Sequence, residues 1–213
     1  MKKRKKTSRV LLLIILLIAG AIAYAPRYLL YSTDYQKVDA IVLLLGPDFT
    51  ARRKQASQLI AEGKADYLII PAYNKVSRVS DKVTDKGIIK SLSPNLLMQD
   101  SGKKKKILNP SSFPEFYEDT HMEIMAAKKT MADFGLKSAT FVSSPYHMRR
   151  IKLIVSTEFS GEKREFYFVP TVYEKAPANF WELSSAEWKK VGREYTKMIW
   201  FSLYSRWAKT SAG

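Results

Sequence analysis

Ser143-Ser144-Pro145-Tyr146-His147-Met148-Arg149-Arg150 brings two serine hydroxyls, one of the chain's two histidines and two arginines into one short run. An imidazole with an ordinary pKa of about 6.5 can serve as acid or base near neutrality. A guanidinium grips phosphate or carboxylate through paired hydrogen bonds. Arg150 stands three residues beyond His147, where a helix is expected to start and where open amides and the helix dipole attract anions. The run therefore reads as an anion site, with His147 as the proton carrier or donor and Arg150 as a clamp. The plain alternatives are a loop histidine bonding a carbonyl and a surface arginine. Ser143 and Ser144 lack the G-x-S-x-G setting of a nucleophile elbow, and read instead as donors to a ligand. Arg149 reads as solvated.

Two further groups could join this site. Gly46, Asp48 and Arg52 follow an apolar run, so Arg52 could face the same crevice or lie exposed on the first turn of a helix. Asp48 could orient a water, bind a cation, pair with Arg52 or simply close a turn. Asp119 and Thr120 open a later helix. Asp119 could support His147, whereas Thr120 and Glu123 have the T-x-x-E spacing of a capping box, in which both side chains bond backbone amides. His121 reads as exposed, and the two histidines lack metal-ligand spacing, so no metal ligand is assigned. The sequence names no particular cofactor.

These residues must be positioned by alternating strands and helices. Val38 to Leu45 is a continuous apolar run, as in a parallel strand buried on both faces. A helix is expected over 50–62, stopped by Gly63, then strands at 66–70, 139–142 and 165–169. Helices are expected at 120–134, 151–159 and 185–207. β-α-β repetition argues for an α/β domain with a mainly parallel sheet and right-handed crossovers. In such sheets ligands bind at the strands' carboxyl ends. Residues 71–117 carry no strong period; weak helical character over 82–92, a strand near Ile107-Leu108 and a solvated turn at Lys103–Lys106 are expected there. A contact of that turn with acidic glycan or lipid headgroups is the alternative. Trp181, Trp188, Trp200 and Trp207 read as core and membrane-proximal packing.

The amino terminus indicates the compartment. Six cations precede Val10–Ala25, which carries no charge. Those sixteen residues are slightly short of the ~20 that span a bilayer comfortably, but a tilted anchor is feasible. The positive-inside rule puts residues 1–9 in the cytoplasm and the domain at 38–208 outside, with 10–30 as signal-anchor and juxtamembrane segment. Cleavage after Ala23 or Ala25 is the competing reading. The chain's net charge is +16. Subtracting six for the tail leaves +10 on the rest, which suits acidic partners. Nucleic acid explains the charge but conflicts with export. The absence of cysteine excludes disulfides and thiolate chemistry.

Three segments together resemble the YdcF/SanA/ElyC family of bacterial envelope proteins, which share a domain of unknown function. Val38 to Gly46 followed by Arg52-Arg53-Lys54-Gln55-Ala56-Ser57-Gln58-Leu59 is similar to the family's strand, glycine and R-x-x-x-A-x-x-L helix. Asp119-Thr120-His121-Met122-Glu123 loosely resembles its N-T-x-x-N-type motif. Ser143-Ser144-Pro145-Tyr146-His147-Met148-Arg149-Arg150-Ile151 closely resembles T-S-x-x-H-x-x-R-A. Asp119, Ser143 and Ile151 depart from the family's Asn, Thr and Ala, Pro71-Ala72 replaces its glycine-containing turn, and 71–117 has diverged. The resemblance implies a Rossmann-like three-layer sandwich behind one transmembrane helix of the inner membrane, with a role in peptidoglycan or surface-polysaccharide biogenesis.

The chain has no G-x-G-x-x-G, P-loop or H-E-x-x-H signature, so the usual dinucleotide, NTPase and zinc-protease mechanisms lack their motifs. Two readings stay open. One is a transferase or hydrolase acting on an anionic glycan, phosphosugar or polyprenyl-phosphate ligand. The other is a non-catalytic sensor or docking module, with a basic-patch lipid binder as a variant.

Overall fold

The computed structural model describes the backbone of residues 2–79 and 115–211. Within them lie helix α1 (Lys2–Leu29), strand β1 (Val38–Leu43), α2 (Phe49–Ala61), β2 (Ala65–Ile70), β3 (Lys75–Arg78), α3 (Asp119–Asp133), β4 (Ser138–Ser143), α4 (Met148–Glu158), β5 (Glu165–Pro170) and α5 (Ser185–Ser211). The features expected at 82–92, 103–106 and 107–108 fall outside the described residues.

The five strands form one sheet in the order β3-β2-β1-β4-β5. β1 pairs in parallel with β2 and β4, and β4 with β5. The protein is thus α/β with a mostly parallel sheet. β3 is the exception: it pairs antiparallel to β2 and was not legible as a strand. The turn before it runs through Pro71–Tyr73 to Asn74, which adopts φ +45°. Asparagine tolerates that left-handed conformation, so it reverses the chain without a glycine.

Alternation along β1 divides the core. Ala40, Val42 and Leu44 pack with Ile124, Ala127 and Met131 of α3, Ile151, Ile154 and Val155 of α4, and Phe201 and Tyr204 of α5. Ile41 and Leu43 pack with Ala56, Leu59 and Ile60 of α2. Burying each such aliphatic side chain contributes about 1.5–3 kcal/mol before entropy is subtracted. The unbroken apolar sequence of β1 follows from this demand on both faces.

α1 continues past the expected end at Ala25 and through Pro26 to Leu29. The stretch Arg9–Leu29 is 21 residues long, and its most apolar part is only 6% buried. At 1.5 Å per residue it measures roughly 31 Å, enough to cross a bilayer core of about 30 Å. Its end is fixed to the domain. Tyr195 OH donates to the Ala25 carbonyl at 3.0 Å, Arg149 Nε donates to the Tyr28 carbonyl at 2.8 Å, and Leu29 is buried against Tyr146 and Val191. Beyond it, Thr33 exchanges two hydrogen bonds with Phe168, covering part of the free edge of β5.

Candidate functional site

β1 and β4 lie side by side with Leu43 level with Val142. The chain leaves β1 toward α2 and β2 on one side, while β4 and β5 lie on the other. This is the switch point at which open α/β sheets form a crevice. A pocket of about 220 Å³ opens there. Leu45, Gly46, Pro47 and Asp48 line it from the β1 loop, Ser144, Tyr146 and His147 from the β4 loop, and Asp119 and Thr120 from the start of α3. Arg52, Arg150, Glu174, Lys190, Arg193, Glu194 and Lys197 complete the wall.

Arg52 is the most constrained of these. It lies on the first turn of α2 and its side chain is only 2% exposed, so the expected alternative of an exposed first-turn arginine is overturned. Its Nε and Nη2 both donate to Ser144 Oγ, at 3.1 and 2.9 Å, and Nη1 donates to the carbonyls of Leu44 and Leu45. The guanidinium lies flat on Gly46: a Cβ there would sit 2.3 Å from Nη2 and 2.5 Å from Cζ. Glycine leaves room for the guanidinium in this position, and any side chain here would force it to shift. Every bonded acceptor is neutral, and Arg52 makes no ion pair among the described residues. Burial pulls its pKa down, opposed by the more distant carboxylates of Glu174, Glu123 and Asp48.

His147 belongs to a short helical turn, Pro145–His147, that leads directly into α4, so α4 begins three residues earlier than periodicity suggests. The ring is 9% exposed, and its Nε2 lies 3.2 Å from Thr120 Oγ1, the donor depending on the tautomer. Burial, then the neighbouring Arg150 and Arg52, hold its pKa well below the ordinary value. At neutral pH the imidazole is uncharged, so it enters any reaction as a base or neutral donor rather than as a cationic acid.

The capping-box expectation fails at both positions. Thr120 is buried against His147, and the Glu123 carboxylate accepts from the Leu45 amide at 3.1 Å. Glu123 therefore ties α3 to the β1 loop. Asp119 sits exposed on the pocket rim, one residue from the hydroxyl that contacts His147.

Arg150, 1% exposed, reaches the pocket wall, where its guanidinium is engaged by two carboxylates. Nη1 donates to Glu118 at 2.6 Å, and Nε and Nη2 donate to Glu194 at 2.8 and 3.5 Å. Burial pushes the Glu118 pKa up more strongly than Arg150 pulls it down. Neither glutamate was singled out from the sequence.

The α5 wall was also missed. Lys190, Arg193, Glu194 and Lys197 share one helix face at i, i+3, i+4, i+7 spacing, a charged stripe that could have been read beside the apolar one. Lys190 bonds Glu174 at 3.0 Å and lies 3.6 Å from Asp48. Arg193 and Lys197 make no ion pair among the described residues. Asp48 precedes α2 but makes no side-chain cap bond.

Ser143 differs from Ser144. It ends β4 fully buried, does not line the pocket, and its Oγ finds no hydrogen-bond partner among the described residues. His121, expected on the surface, is buried between Tyr117 and Tyr204, with Nδ1 3.0 Å from Tyr204 OH and Nε2 2.9 Å from Glu158. Arg149 is half-buried and stacks on Tyr28 and Tyr31 rather than being solvated. Among the four tryptophans, Trp188 packs against the end of α1, whereas Trp181 and Trp207 are largely exposed. Among the described residues, no three His, Asp or Glu side chains converge on a metal-holding position.

The pocket thus joins loops from β1 and β4, the start of α3 and one face of α5. It offers a buried cation bonded only to neutral acceptors, an uncharged imidazole, and two cations without ion pairs at its wall. No family model, curated protein or solved structure matched the chain.

Proposed function

We propose that this is a membrane-anchored extracytoplasmic protein that binds an anionic or phosphorylated ligand in the crevice at the strands' carboxyl ends. The observation that carries the reading is Arg52. A buried cation with neutral partners alone is costly, and an anion entering the pocket would relieve that cost. Gly46 keeps the guanidinium in place, Ser144 orients it, and Arg193 and Lys197 add positive potential at the wall. An anion near His147 would raise the imidazole's pKa, so binding and proton uptake are coupled.

α1 would anchor the protein in the inner membrane, with the basic tail in the cytoplasm. Helices on both sides of the sheet support a Rossmann-like arrangement. The resemblance of the Arg52 and His147 segments to envelope proteins supports a role in peptidoglycan or surface-polysaccharide biogenesis, with a phosphosugar or polyprenyl phosphate as ligand. If a reaction occurs, His147 is the group placed to take a proton, making the protein a transferase or hydrolase.

A second reading is a sensor or docking module without catalysis, and the full engagement of Arg150 by Glu118 and Glu194 favours it. Thermal-shift measurements with phosphosugars, polyprenyl phosphates and their unphosphorylated counterparts test the binding claim. Stabilisation by the phosphorylated members alone is expected; equal response to both classes overturns it. His147→Ala separates the two readings, since a sensor keeps its cellular function when the imidazole is removed and an enzyme loses it.

A further inference from the structure

α5 carries two different faces. One supplies the pocket wall; the other, with Tyr195, Met198, Ile199, Ser202, Leu203 and Arg206, forms a groove with Tyr28 at the end of α1. Ile199 and Leu203, one helical turn apart, are 60% and 61% exposed. Apolar side chains left open to water as a contiguous group, rather than singly, mark a contact surface. Two more exposed aromatics, Phe180 and Trp181, sit on the short turn Phe180–Glu182 that also packs against α1.

We propose that this face of the domain rests in the interfacial layer of the same bilayer that α1 crosses. The inference depends on the reading of α1 as a membrane span. Its warrant is continuity. The apolar stretch runs to Leu29, and its last turns are held by the Tyr195–Ala25 and Arg149–Tyr28 hydrogen bonds, so the domain is not on a loose tether. Residues flanking Tyr28 are thereby held at the depth where the helix leaves the hydrocarbon. Tyr24, Tyr28 and Trp181 supply the aromatic belt typical of that depth, and Ile199 and Leu203 supply the apolar contact. Arg206, at the end of the groove, suits lipid phosphate. The pocket wall and this face share α5, so the crevice would open close to the membrane surface.

The absence of native cysteine allows single nitroxide labels. Full-length Leu17→Cys, Ile199→Cys, Leu203→Cys and Phe134→Cys variants would be reconstituted in phosphatidylethanolamine/phosphatidylglycerol vesicles. Phe134 is an exposed apolar residue at the opposite end of α3 from the pocket. The expected result is a severalfold higher ratio of oxygen to water-soluble nickel-complex collisions at 199 and 203 than at 134, with 17 higher still. A ratio at 199 and 203 equal to that at 134, with 17 at lipid depth, overturns the proposal while sparing the anchor. Spin–spin broadening at 199 or 203 without lipid exposure also overturns it, because a second copy then covers the face. An aqueous label at 17 removes the anchor and this proposal together.

Discussion

Two arginines, Arg52 and Arg150, lie buried in the pocket that holds His147, yet they are held in opposite ways. Arg150 is matched by Glu118 and Glu194, two acids for one base. Arg52 is matched by a serine hydroxyl and two carbonyls, with no ion pair among the described residues. The first arrangement is closed and joins α4 to the start of α3 and to α5. The second leaves a positive charge facing a pocket. Exposure is nearly the same, so the partners alone distinguish the brace from the proposed binding group.

The largest expected effect comes from breaking the brace. Arg150→Met leaves Glu118 and Glu194 buried without their cation, at a cost of about 3–5 kcal/mol. Denaturant unfolding of the detergent-solubilised chain measures it, and a loss below 1 kcal/mol, roughly the worth of a surface pair, would show that the triad is no brace. Gly46→Ala comes next. Its methyl must displace the Arg52 guanidinium, costing about 1–3 kcal/mol as overpacking does, and ligand-induced stabilisation should vanish with it. If the variant binds normally, the close approach at Gly46 does not matter.

Thr120→Val removes the hydroxyl beside His147 and should cost about 1 kcal/mol, with a changed pH profile for any reaction using that imidazole. The pH dependence offers a further test, because burial first, and then Arg150 and Arg52, depress the His147 pKa. A histidine depressed in the folded state contributes stability above its unfolded pKa of about 6.5, and loses it as pH falls below that value. Unfolding free energy should therefore drop on acidification between about pH 6.5 and 5, and His147→Gln should flatten that part of the curve. An unchanged slope in the variant would assign the acid sensitivity to the carboxylates.

The same contrast explains what the sequence disclosed. β1, α2, β4 and α4 were legible because continuous apolar runs and helical spacing are local signals, and Arg52 and His147 followed because the loops after β1 and β4 mark a sheet's ligand-binding edge. β3 was hidden: its four residues, Lys75–Arg78, form an edge strand whose alternation is too short to register. Thr120 and Glu123 were misleading because T-x-x-E spacing serves a helix start equally well whether its side chains turn back or reach across, and only the neighbouring loops decide. Glu118 and Glu194 could not be read at all. Their pairing with Arg150 spans 32 and 44 residues and exists only after α3, α4 and α5 have met. His121 looked like a surface residue in a polar run because much of its cover comes from Tyr204, 83 residues further along the chain.

The central claim is that Arg52 holds the charge that an incoming anion meets. Calorimetric titration of a sugar phosphate and of the parent sugar into the wild-type chain, Arg52→Gln and the control Lys54→Gln tests it most directly. Saturable binding of the phosphate alone, abolished by Arg52→Gln and retained by Lys54→Gln, is the predicted result. Equal phosphate binding by the wild type and Arg52→Gln would contradict it.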